Sequence, residues 1–222
     1  MGLIKFLFKS GFYSTCGAVG AFAVLTRKSQ FTSLSEADAF KAAHLGTYNP
    51  HGNPMLRDRC VRRVRFDKIR PELLEQEGAL VTEFCKGIWS GKGYEIQRRV
   101  LERKHHGPET AGQLWAPEQL AASDYSVGTQ ITDHFEVIEK TPERIVTRCG
   151  GSPRTRGVRA NDGIFEMGAK VIPEEGCVEF ALESVFYQGL GKTAETIPTW
   201  MEFLHQQYTK VWMETAVWHC MR

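Results

Sequence analysis

Residues 161–188 read NDGIFEMGAKVIPEEGCVEFALESVFYQ, and the reading of this stretch decides the fold class. Phe165, Met167, Ala169 and Val171 alternate with Glu166, Gly168 and Lys170 as far as Pro173-Glu174-Glu175-Gly176; Val178, Phe180, Leu182, Ser184 and Phe186 alternate back. A period of two on both sides of a Pro/Gly turn predicts an antiparallel hairpin with one face buried. The same period starts at Val127, where Ile131, Phe135 and Val137 share one parity and Thr132, His134 and Glu136 the other. Thr141-Pro142-Glu143-Arg144 then turns the chain into Ile145-Val146-Thr147, and a basic loop from Gly150 ends in the turn signal Asn161-Asp162-Gly163. Downstream, Pro198 opens a stretch without Gly or Pro in which Met201, Leu204, Tyr208, Val211, Trp212, Thr215 and Val217 or Trp218 recur at helical spacing. Two hairpins followed by a long amphipathic helix must bury a sheet face against that helix, so the expected class is α+β.

Working towards the N-terminus, Pro71 sits at a first helical position, and Leu73, Leu74, Leu80, Val81, Phe84, Cys85 and Ile88 predict one helix ended by Gly91 and Gly93. A more polar helix through Tyr94, Ile96 and Val100 follows it. Arg57, Arg59, Arg62, Arg63 and Arg65 alternate with Val61, Val64 and Phe66, which predicts a strand over about 60–66 with a solvated basic side. Tyr48 to Pro54 is a turn-rich loop, and Ser35-Glu36-Ala37-Asp38 predicts an N-capped helix to about Leu45.

The first 28 residues read differently. From Gly11 to Leu25 no charge occurs, and Leu3 to Phe8 precedes it with Lys5 alone. Counted from Leu3 this makes about 23 residues, enough to cross a bilayer core if Lys5 and Lys9 snorkel. Residues 1–28 are therefore expected to seek a membrane and 29–222 to form a single domain. The endoplasmic reticulum, with the domain cytosolic, is the expected location. A mitochondrial presequence is an alternative, since no acid precedes Glu36.

The 222 residues are 42% hydrophobic and 24% charged, ordinary globular values, and a net charge of +2 gives no footing for nucleic acid. None of the six cysteines forms a CxxC pair and no His pair completes a zinc pattern, so neither metal nor cofactor is expected. Gly189-Leu190-Gly191-Lys192-Thr193 falls short of a phosphate loop because Phe186 stands where the first glycine is required. Gly87-Ile88-Trp89-Ser90-Gly91 places its serine one position late for a nucleophile elbow.

The order of hairpins from Val127 to Gln188, closed by the helix from Pro198, resembles the helix-grip fold of START-like and Bet v 1-type pocket proteins over roughly the last hundred residues. Segments such as VGTQITDHFEVIEKTPE (127–143), NDGIFEM (161–167) and LHQQYTKVWMETA (204–216) look like small fungal natural-product proteins, among them norbornene-forming Diels–Alderases. That resemblance implies a cofactor-free pocket for an apolar metabolite. It carries no residue motif, so no catalytic residue is transferred from it.

Two polar residues break the apolar pattern. Asp133 shares parity with Ile131 and Phe135, and His205 shares the helix stripe of Met201, Tyr208 and Trp212. A buried carboxylate and a buried imidazole are suited to proton transfer, which makes Asp133 and His205 the candidate catalytic pair. The alternative is that Asp133 caps a loop and His205 makes one satisfying hydrogen bond. Tyr208, Trp212, Phe165 and Phe180 are the candidate walls of a ligand cavity, and Arg159, in the basic loop, the candidate partner of a ligand carboxylate. Two functions lead, a cyclase, pericyclase or isomerase on an apolar biosynthetic intermediate, or a non-catalytic, membrane-anchored carrier of a lipid or other hydrophobic ligand, and a structural adaptor is the third.

Overall fold

The computed structural model of the chain describes residues 20–33 and 39–222. Residues 20–26 are helical and lead through a turn into β1 (Gln30–Thr32). There follow α1 (Ala39–Tyr48), β2 (Met55–Arg65), α2 (Glu72–Glu75), α3 (Ala79–Trp89), α4 (Glu95–His105) and α5 (Pro117–Ala122). The remainder is β3 (Gln130–Ile131), β4 (Phe135–Lys140), β5 (Arg144–Cys149), β6 (Asp162–Ile172), β7 (Cys177–Tyr187) and α6 (Thr199–Cys220). The class is α+β. One antiparallel sheet runs in the order β1-β2-β7-β6-β5-β4-β3, with α6 packed against it.

The hairpin of β6 and β7 forms as its alternation dictates, with Met167 opposite Leu182, Phe165 opposite Ser184 and Ala169 opposite Phe180. β2 continues the same face across β7, placing Cys60 opposite Leu182 and Asp58 opposite Ser184. α3 and α6 together cover this face. Phe84 of α3 meets Phe180 with ring centroids 4.8 Å apart, and Trp212 of α6 meets Phe165 at 5.4 Å. The two helices cross closely because Gly87 has no side chain: a Cβ there would lie 2.7 Å from the Ala216 carbonyl oxygen.

The other face of the sheet is charged, and α1 lies over part of it. Lys41 reaches Glu166 at 3.0 Å and also pairs with Glu183. The Arg148 guanidinium sits 3.6 Å above the Tyr48 ring and is paired with Asp162. Arg57, Arg63 and Arg65 of β2 are exposed as the sequence implies, whereas Arg59 pairs with Glu179 and Glu183 of β7 at 2.8 Å each. Arg62 points to the opposite face, where its Nε lies 3.3 Å from Glu214 of α6.

Several expectations change. β2 begins at Met55, not near Cys60, so Leu56 and Asp58 belong to its buried parity. The single helix expected from Pro71 is two, broken where Gly78 takes φ 75°. Ile131 and Phe135 do not lie on one strand but face each other across a tight turn, in which Thr132 and Asp133 both have φ 50°. On α6 the buried residues are Thr209, Trp212, Met213, Glu214, Ala216, Val217 and Cys220, whereas Met201 and Leu204 are exposed. The apolar stripe in sequence thus overestimates the packed length of the helix by two turns. The N-cap expected at Ser35 and most of the membrane-seeking stretch, residues 1–19, lie outside the described residues. No helix among the described residues is long and apolar enough to cross a membrane. By Thr26 the chain is already buried on the domain, and Ser29 donates to Glu214 at 2.7 Å.

Candidate functional site

Between α6 and the sheet lies a half-enclosed cleft of 130 Å³. Phe135, Phe165 and Phe186 form its floor, α6 contributes His205, Tyr208, Thr209 and Trp212, α4 contributes Gln97, and the β3–β4 turn contributes His134. The apolar wall is continuous with the core. Trp212 packs edge-on against Phe165, Trp89 and Tyr94, and its Nε1 donates to the Gly93 carbonyl at 3.1 Å. That bond holds the indole still and leaves the cleft with few conformers to lose when it is filled.

His205 is the polar centre of the cleft. Its ring stands edge-on to Phe186 at 5.1 Å, and its Nε2 lies 2.9 Å from Asp58 Oδ2 and 3.4 Å from Thr209 Oγ1. Asp58 is buried on the inner parity of β2. It is within ion-pair distance of His205, yet neither of its carboxylate oxygens is met by an aligned hydrogen bond. Ser184, beside it in register, is fully buried with an unpartnered Oγ, and the Tyr208 hydroxyl is also buried and unpartnered. Each such group in a core costs about 1–3 kcal/mol, so three of them on residues of one small region need a reason beyond packing. A carboxylate against Nε2 favours the tautomer protonated there and leaves the Nδ1 lone pair as the basic one.

His134 reaches the cleft because of the strained turn before it. Left-handed backbone at Thr132 and Asp133, neither of them glycine, is disfavoured and persists where neighbours hold it. Here Thr132 N donates to the Leu114 carbonyl at 3.1 Å, the Thr132 hydroxyl meets Tyr94, and the Gln113 amide accepts from Asp133 N. Burial, reinforced by the charges of His105 and Arg159, lowers the His134 imidazole to about 4, so it is neutral at ordinary pH. Burial also raises the Tyr208 phenol, which therefore stays protonated.

Of the sequence-derived candidates, the structure brings His205, Tyr208, Trp212 and Phe165 together at the cleft. It does not bring Asp133 to them. The Asp133 carboxylate accepts from Gln113 Nε2 at 3.2 Å and from Ser152 Oγ at 2.7 Å, with Arg154 Nε 3.6 Å away, and so ties three loops together. Phe180 packs beneath α3 against Phe84. Arg159 is buried in its own loop, donating to the carbonyls of Thr155 at 2.9 Å and Gly151 at 3.1 Å. The residues that sequence reasoning missed are His134, one place along from Asp133, and Asp58. The signal for Asp58 was its parity with Leu56, Cys60 and Val64, hidden among arginines.

Comparison with known proteins gives no relative from which a role could be carried over: no protein-family model, curated protein or solved structure matches this chain.

Proposed function

We propose that the protein is a pocket protein of helix-grip type. Its cleft takes the rigid, apolar part of a small biosynthetic intermediate and promotes a cofactor-free cyclisation or isomerisation there. The observation that carries this reading is the buried, under-bonded carboxylate of Asp58 set against His205 at the polar end of an aromatic cleft. In this role the aromatic wall of Trp212, Phe165 and Phe186 fixes the ligand's conformation. The Tyr208 hydroxyl and the neutral His134 hydrogen-bond its polar end. His205, whose side chain is half-buried, takes or returns a proton, oriented by the buried Asp58. A cleft of 130 Å³ is below the roughly 300–1,000 Å³ typical of sites that enclose a drug-sized ligand, and it suits one ring system better than a whole lipid.

The test is comparative mass spectrometry of small molecules from the source organism with the gene intact, deleted, and restored as His205→Gln. Loss of one product, accumulation of its precursor on deletion, and no rescue by His205→Gln support the reading. Unchanged metabolites with altered membrane lipids would refute it in favour of a carrier.

A further inference from the structure

The exposed large apolar side chains of the described residues are not scattered. Of the twelve, Val24, Leu25, Leu190, Trp200, Met201, Phe203 and Leu204 fall in the helical residues 20–26, the loop before α6, and the first two turns of α6. On α6, Trp200, Phe203, Leu204 and Gln207 recur at i, i+3, i+4 and i+7, which is one helical face. Trp200 is 62% exposed, Phe203 59% and Leu204 56%. His205, Thr209 and Trp212 lie on the other side, in the cleft. Phe203 and Gln207 also line, with Phe22, Ala23, Arg27 and Lys210, an open groove of 640 Å³, so the two apolar segments stand side by side.

We infer that this surface is a membrane-docking face. It would set the first turns of α6 and residues 20–25 into the headgroup–acyl boundary of a bilayer containing anionic lipid. Three observations select a bilayer over a protein partner. The cations Arg27 and Lys210 stand in the same groove as Phe22 and Phe203, the pattern of a helix lying in the interface. Trp200, an amphipathic ring of the kind enriched at membrane–water boundaries, stands out from the start of the exposed face. Finally, nineteen residues precede Gly20, apolar and cationic in sequence and without an acid, and they lead directly into the segment that lines the groove. Resting on the cleft reading above, the same placement has a further consequence: Met201, exposed one turn ahead of His205, marks a route by which an apolar ligand would enter from the acyl chains.

The experiment uses the full chain with vesicles of phosphatidylcholine and phosphatidylserine, with and without bromine on the acyl chains. Trp89, Trp115 and Trp212 are buried, so the emission open to quenching belongs to Trp200 and to Trp218 at the far end of α6. The expected result is bromine quenching that falls by at least half in Trp200→Phe, while the variant still sediments with vesicles. The double variant Phe203→Ser with Leu204→Ser should partition at least tenfold less. The inference is overturned by any of three results: no vesicle binding, binding without Trp200-dependent quenching, or a lipid-free dimer by light scattering that Leu204→Ser dissociates. His205→Gln should leave the quenching unchanged, so failure here is separable from failure of the cleft reading.

Discussion

Gly87→Ala should unlock the crossing of α3 and α6, and the size of the effect follows from the geometry. A Cβ at position 87 would meet the Ala216 carbonyl oxygen at 2.7 Å, the Ala216 Cα at 2.8 Å and the His219 Cβ at 2.9 Å. The first two are backbone atoms, and a Cβ has no rotamer of its own, so no side-chain rotation relieves the contact. Ordinary contact begins near 3.4 Å, and the helices must separate by about 0.5–0.7 Å, against neighbours that are already close-packed. Overpacking of this kind costs typically about 1–3 kcal/mol, and the helix-propensity gain of Ala over Gly returns about 0.5–1 kcal/mol of it. A net loss of about 1–2 kcal/mol is expected, read as a lower urea midpoint at unchanged slope. Gly46→Ala is the control. It lies within α1 with nothing within 4 Å of the added Cβ, so the same substitution should stabilise by about 0.5–1 kcal/mol. If Gly87→Ala is neutral or stabilising like its control, the helices do not cross at this distance and the placement of α6 over the cleft falls with it.

Three further perturbations follow. Ser184→Ala removes a buried hydroxyl that has no partner, so stability should hold or rise by up to about 1 kcal/mol; a loss above that in thermal melting would mean the hydroxyl is bonded in the folded protein. His134 and His44 are both held near 4 against an ordinary 6.5, chiefly by burial, so the unfolded chain binds their protons first. Stability is then full above pH 6.5 and falls as pH drops towards 4, with His134 contributing about 3 kcal/mol. His134→Gln should flatten that part of the urea-midpoint profile, and an identical acid slope in the variant contradicts the assignment. Asp162→Leu strands the Arg148 guanidinium, whose side chain is 5% exposed, and should cost about 3–5 kcal/mol; Arg148→Met in the same chain should recover part of the loss.

The elements that sequence made legible are those whose register and packing agree. β6 and β7 alternate because one face meets α3 and α6, and Pro173 to Gly176 leaves the chain little choice but to turn. The strained turn at Thr132–Asp133 was illegible for a physical reason: it carries neither Gly nor Asn, and it is imposed from outside by Gln113, Leu114 and Tyr94. Without that turn the parity of the stretch assigned an inward role to Asp133, when the residue delivered to the cleft is His134. Asp58 and Arg62 hid in a run of arginines: their parity with Leu56, Cys60 and Val64 points inward, but what an inward charge on β2 pairs with is seen only in the partners on α6. The exposed start of α6 misled in the opposite direction, because an apolar stripe marks what avoids water and does not say which surface covers it.

The pairing of β2 with β7 also bears on the order in which the molecule can form. Met55 pairs with Tyr187 and Arg65 with Cys177, so this seam of the sheet, one strand in from the β1 edge, joins segments that lie more than a hundred residues apart in the chain. Everything between them, α2 to α5 and four strands, is a loop that this pairing closes. Contacts of such long sequence separation repay their loop-closure entropy late, and they slow folding relative to local hairpins. β3 to β6 can assemble early from neighbouring segments. The unpaired flank of β2, with its buried Asp58 and Arg62, must wait for β7 and α6. During synthesis on a ribosome, the cleft therefore comes into being only as the last helix emerges.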